Sequence, residues 1–229
     1  MVEAREIYIR LKKGKSVSGY YHEPSPNASG SRATLIIGHG AGNDCHNPLI
    51  VGIARRLAQA GYGALRFNFP YRQEGRGGPD TQPVLEETYL AAIEAAVARV
   101  PVREGTLILS GKSMGGRIAS QIFSAAPRAG GLIFFGYPLH PPGKFDHLRD
   151  GHLYDIKAPM LFIEGTRDPF CRLDLLEPVL NKLHGAELVV IQGGDHSYNL
   201  PKADPRTPEQ ALDEISGAAV RWLAKQDFS

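Results

Sequence analysis

The segment that most constrains this chain is Gly111-Lys112-Ser113-Met114-Gly115. An apolar run, Thr106-Leu107-Ile108-Leu109, precedes it and reads as a buried strand. Apolar residues at helical spacing follow it, from Arg117 to Phe123. A serine flanked in this way by two glycines, between a strand and a helix, is the G-x-S-x-G nucleophile elbow. The turn is so tight that a side chain at either glycine would crowd it, and the serine itself is expected in a strained backbone conformation. The helix that starts here aims free N–H groups and a positive dipole end at the site. Both favour an oxyanion over a neutral carbonyl. An ordinary glycine-rich turn could carry the same residues, so the rest of the chain has to decide between the two.

Length and charge narrow the classes. A chain of 229 residues fits one α/β domain, residues 1–229, and is short for two. The 26 basic and 24 acidic side chains leave a formal charge of +2, which gives no electrostatic case for nucleic acid. No apolar run approaches the roughly 18 residues of a membrane span, and Met1–Glu6 lacks the apolar core of a secretory signal. With only Cys45 and Cys171, no disulfide framework is indicated, and a reducing, cytoplasmic setting is expected. No cluster has metal-ligand spacing and no glycine pattern matches a phosphate or dinucleotide loop, so no metal or cofactor is expected.

The order of elements points to an α/β fold. Ile7, Ile9 and Leu11 alternate with polar residues, and Val17–His22 follow after a turn, as in a hairpin of half-exposed strands. Pro24–Ser31 reads as a loop. Ala33–Ile37, Gly63–Asn68, Gly131–Phe135, Met160–Ile163 and Leu188–Ile191 read as strands, most of them apolar without alternation, as strands buried on both faces are. Helical spacing joins Leu49 to Ala58, Leu85 to Val100, Leu176 to Leu183 and Leu212 to Leu223. Strands alternating with helices predict a mostly parallel sheet covered on both faces, with its chemistry beyond the carboxyl ends of the strands. Four of those ends carry His39, Ser113, Asp168 and His196.

A serine nucleophile needs a base, and the base needs a group that orients it. Asp168 and His196 both follow Ser113, each just after a strand. Asp168 before Pro169 also suits a turn, and the two roles can coexist. Glu164 and Asp155 are the rival acids, whereas Asp195 is adjacent to His196 and poorly placed to face it. Among eight histidines, His140 is the second candidate base and His39 suits a structural role in the first glycine loop. The backbone N–H groups of Met114 and Ala41 are the expected oxyanion donors. Tyr71, Arg72 and Tyr137 sit in strand-end loops, with Phe69 and Phe170, and are expected to line a shallow, open pocket.

From about Ala33 onward the sequence resembles the α/β-hydrolase superfamily, in which the triad runs Ser, Asp, His along the chain. Within that superfamily it looks like the small, lidless, dienelactone-hydrolase-like group. Gly38–Gly42, Phe67–Tyr71 and Gly136–Gly143 resemble bacterial relatives of the hydrolase-like subunit of a chromatin acetyltransferase complex. The resemblance implies an α/β-hydrolase fold without a cap domain, and triad roles for Ser113, Asp168 and His196. Dienelactone hydrolases carry cysteine where this chain has Ser113, so their lactone substrate is not implied. Many lipases have histidine where this chain has Lys112, which is expected to be solvated. The function expected is serine hydrolysis of a small-molecule ester. A thioesterase or peptidase would use the same parts, and a non-catalytic binding scaffold would be expected to have lost a triad member.

Overall fold

The computed structural model describes residues 4–26, 28, 33–99, 106–126 and 128–226; Val100 and, in the first loop, Asn27 and Ser29–Ser31 lie outside them. The strands are β1 (Ala4–Arg10), β2 (Ser16–His22), β3 (Thr34–Gly38), β4 (Gly63–Phe67), β5 (Leu107–Lys112), β6 (Ala129–Phe135), β7 (Met160–Gly165) and β8 (Ala186–Ile191). The helices are α1 (Pro48–Gln59), α2 (Pro70–Gln73), α3 (Gln82–Val97), α4 (Met114–Gln121), α5 (Leu173–Leu180) and α6 (Pro208–Lys225). One sheet orders the strands β1-β2-β4-β3-β5-β6-β7-β8. β2 pairs antiparallel with both neighbours and the other pairs are parallel.

The unalternating runs are central strands because both faces of the sheet are covered. Successive residues of each run feed opposite cores, as the two-residue period of a strand requires. Ile36, Leu109, Phe134 and Phe162 pack under α3, α4 and α5. Ile37, Ile108, Ile133 and Ile163 pack under α1 and α6. Burying one such side chain contributes about 1.5–3 kcal/mol. Helix ends follow local chemistry. The Asn47 side chain accepts from the Leu49 N–H to start α1, and Thr207 with Gln210 forms a capping box on α6.

Two local expectations are corrected. β2 is largely buried, not half-exposed, because it lies between β1 and β4. The segment after β4 forms the short helix α2, started by Pro70 at its first turn. Among the described residues no helix is long and apolar enough to cross a membrane.

Parallel strands β3 to β8 bring their carboxyl-end loops to one edge of the sheet. Tyr89 of α3 ties the middle of that sheet together. Its buried hydroxyl lies 2.6 Å from the Ile36 carbonyl and 2.7 Å from the Ser110 carbonyl, and accepts the Ser110 N–H at 2.9 Å. It donates its one proton to one of the two carbonyls. Tyr89→Phe leaves the Ser110 N–H without that acceptor, and should cost about 1–3 kcal/mol in urea unfolding; a loss below about 0.5 kcal/mol would show that the tie carries no stability.

Candidate active site

Ser113 sits between β5 and α4 at φ 51° and ψ −115°, a left-handed conformation that a non-glycine residue adopts at a cost of about 1–3 kcal/mol. The surrounding main chain holds it there. The Ser113 N–H donates to the Phe135 carbonyl, and the Arg117 N–H donates to the Ser113 carbonyl. A Cβ on Gly115 would lie 2.2 Å from the Gly38 carbonyl oxygen, and one on Gly111 would lie 2.4 Å from the Gly115 carbonyl carbon. Helix α4 thus rests main chain to main chain on β3 and β5.

The loops after β7 and β8 converge on the serine. Gly165 lets them touch, since a Cβ there would meet the Gly194 oxygen at 2.2 Å. The Arg167 N–H donates to that same oxygen, and the Gly193 N–H donates to Thr166 Oγ1. His196 Nε2 stands 2.8 Å from Ser113 Oγ, and His196 Nδ1 stands 2.6 Å from Asp168 Oδ2. The second carboxylate oxygen of Asp168 accepts the Phe170 N–H at 2.7 Å, so it fixes its own loop while facing the imidazole. The Phe170 ring packs on the imidazole with centroids 4.4 Å apart. The Asp168 side chain is fully buried and that of His196 is 19% exposed, so the pair is shielded on its inner side only.

The loop after β3 supplies the other wall. His39 is fully buried, with Nδ1 2.9 Å from the Gly40 carbonyl and Nε2 accepting the Phe69 N–H. A carbonyl and an N–H as partners fix the tautomer, with the proton on Nδ1. Burial pushes the His39 pKa down to about 4. The Tyr71 hydroxyl donates to the Ala41 carbonyl at 2.7 Å. Neither the Ala41 nor the Met114 N–H has a partner among the described hydrogen bonds, and Met114 opens α4, where an N–H has no intrahelical acceptor.

Lys112 corrects an expectation. It is buried, not solvated, because β5 is covered on both faces. Burial pushes its ammonium down to about 8 against the pull of Asp168 and Glu164. Its Nζ makes no hydrogen bond to a described group. Glu164 is wholly buried, accepts the Tyr137 N–H and is driven towards its neutral form by burial and by Asp168. Asp168, not Glu164, meets the histidine.

A cavity of about 360 Å³ opens at Ser113, lined by Ala41, Met114, Arg117, Pro138, Arg149 and Phe170 among others. Tyr71, Arg72 and Tyr137 are not among its lining residues, contrary to expectation. Tyr71 and Tyr137 are fully buried, as is Phe69, and their hydroxyls hold loop carbonyls instead. Arg72 turns towards the Arg76 carbonyl. His140 is buried and accepts the Arg172 N–H, Asp155 is exposed, and Asp195 accepts from Ser197 and Asn199 in its own loop. Cys45 and Cys171 are free and buried. Sequence reasoning missed Arg117 and Arg149. For Arg117 a signal existed: four residues on from Ser113, it occupies the same face of α4.

Fold and site together define a lidless serine-hydrolase architecture. A family model described as an alpha/beta hydrolase domain matches residues 31–224, and the chain belongs to that family. A putative protein-lysine deacylase, ABHD14B, from Homo sapiens is 25% identical over 206 residues, covering 89% of this chain and 91% of its own. Its counterpart from Rattus norvegicus is 26% identical over 207 residues, covering 89% and 92%. Among solved structures, an α/β serine hydrolase without lid from Xanthomonas campestris superposes with a TM-score of 0.74 at 21% identity, covering 98% of this chain and 95% of that one. A dienelactone hydrolase from Anabaena variabilis gives 0.72 at 20%, covering 97% and 98%. At these identities the two structures establish the fold.

The His39 tautomer generates a pH prediction. Its folded pKa lies below its unfolded value near 6.5, so the unfolded chain binds the extra proton first. Stability from this group is present above about pH 6.5 and is lost as pH falls towards 4, by on the order of 2–3 kcal/mol. In urea unfolding, the stability advantage of wild type over His39→Gln should shrink by that amount between pH 7 and pH 4; a constant difference would mean that His39 does not titrate there.

Proposed function

We propose that the protein is an esterase that cleaves esters of small carboxylic acids through an acyl-enzyme on Ser113. The observation that carries this reading is the continuous relay Ser113 Oγ, His196 and Asp168 at 2.8 and 2.6 Å, open to a cavity. His196 Nε2 takes the Ser113 proton as Oγ attacks the acyl carbon. The Met114 and Ala41 N–H groups receive the oxyanion. Collapse breaks the ester bond, and the imidazolium returns its proton to the departing alcohol. Water, deprotonated by the same nitrogen, then attacks the acyl-enzyme, and the acid leaves as Ser113 regains its proton. Asp168 holds the imidazole with its Nδ1 proton inward and stabilises the imidazolium.

A second reading has its own support, because the curated relatives are named as putative protein-lysine deacylases. An acyl-lysine amide would follow the same steps, with His196 protonating the leaving amine. Acyl esters of graded chain length assayed beside an acetyl-lysine peptide separate the two readings.

Ser113→Ala should lower kcat on the ester by about 10³–10⁶, and Asp168→Asn by about 10⁴ through the wrong imidazole tautomer. Near-normal turnover of Asp168→Asn would move the acid role elsewhere. A fluorophosphonate needs both an activated serine and an oxyanion hole. It should label Ser113 alone in the wild type, slowly in His196→Ala and not at all in Ser113→Ala. Folded protein left unlabelled at millimolar probe would favour a binding scaffold.

A further inference from the structure

The cavity at Ser113 holds two cations that the acyl-transfer steps do not use. Arg117 and Arg149 both line it. Among the described residues the Arg117 guanidinium bonds only Gln121 Oε1, at 3.5 Å, and that of Arg149 only the Pro138 carbonyl, at 3.3 Å. Neither forms an ion pair with a described carboxylate, whereas Arg76, Arg172 and Arg206 each have one. Asp80, the acid on the cavity wall, is already committed: one oxygen pairs with Arg76 and the other accepts the Tyr71 N–H. Glu86 attracts Arg117 without pairing with it and accepts from Gln82. Burial and the charge of Arg149 both work against the Arg117 cation.

These cations are held in place. Arg117 follows Ser113 by four residues on α4, about 6 Å of helix rise, and its N–H bonds the serine carbonyl. The Arg149 N–H donates to the Leu139 carbonyl at 2.7 Å, and the Arg149 carbonyl accepts the hydroxyl of buried Tyr137 at 2.6 Å. Two half-buried guanidinium groups without a counter-ion are costly unless an anion joins them, and their fork of donors suits carboxylate or phosphate oxygens.

We propose that Arg117 and Arg149 form an anion subsite, so that the preferred substrate carries a carboxylate or phosphate a few atoms from the scissile carbonyl. The inference rests on the hydrolase reading for its location. The anion could sit on the acyl side or on the leaving group, and two probe pairs separate these. The acyl pair is 4-nitrophenyl hydrogen glutarate against 4-nitrophenyl glutaramate. The leaving-group pair is 3-acetoxybenzoate against 3-acetoxybenzamide.

In wild type the anionic member of one pair should be favoured at least about 10-fold in kcat/KM, and less so at high salt. That ratio should fall towards one in Arg149→Gln and in Arg117→Gln, and be partly kept in Arg149→Lys. No preference in either pair, or a preference that survives both glutamine variants, overturns the subsite. If no ester turns over and fluorophosphonate does not label, the hydrolase reading fails instead. Calorimetry then tests the subsite alone: glutarate should bind wild type at least about 10-fold more tightly than Arg149→Gln or Arg117→Gln, and glutaramide should not discriminate. Glutarate binding equal in all three, or absent from wild type, overturns it. Because each readout compares ratios, a variant of reduced overall activity still reports, and the wild-type salt dependence stands if one variant does not fold.

Discussion

The site depends on a main-chain contact. Gly115 of α4 lies against Gly38 of β3, and Gly111 lies against the start of the same helix, with no space for a Cβ at Gly111 or Gly115. This contact, not any side chain, fixes where α4 begins, and so fixes the left-handed turn that lifts Ser113 above the sheet. Strain in one residue is sustained because the flanking strand and helix are packed in two cores.

Everything else in the site is placed by the ends of parallel strands. The β7 and β8 loops meet through Gly165 and Gly194, and that meeting carries Asp168 to His196. The β3 loop is fixed by His39 and Tyr71, which hold the backbone of Gly40 and Ala41. Charge is distributed unevenly across this edge of the sheet. Asp168, Glu164 and Lys112 are buried beneath the histidine, while Arg117 and Arg149 face the cavity.

Much of this was legible in the residues. That the sheet is mostly parallel and covered on both faces follows from apolar runs that never alternate, and the elbow follows from two glycines around Ser113; the order of the strands came from the structure. Asp168 and His196 could be named because each follows such a run and lies downstream of the serine. The aromatic loop residues could not be placed, because periodicity says which face of a strand a residue takes and nothing of where a loop side chain turns. Tyr71 and Tyr137 turned inward to bond carbonyls. The burial of Lys112 was readable in principle, since it continues the β5 run. Arg149 gave no sign, because its position is set by a loop folding back on Leu139.

The hydroxyl ties share one chemistry. Tyr71, Tyr89, Tyr137 and Tyr198 each donate a phenolic proton to a main-chain carbonyl in or near the strand ends, at Ala41, at Ile36 or Ser110, at Arg149 and at Ile163. Burial raises all four phenols, Tyr71 to about 12. A raised folded pKa means that the unfolded chain releases these protons first, so their contribution is complete below about pH 10 and is lost as alkali is added. These phenols therefore contribute to the alkaline edge of the fold, beside the thiols of Cys45 and Cys171, which burial also raises; of the four, Tyr71 and Tyr137 hold loops at the site. Their phenolate absorbance emerges only as the packing around them opens, so among the nine tyrosines the late phase of an alkaline near-ultraviolet titration follows the loosening of the sheet and of the loops beside the site.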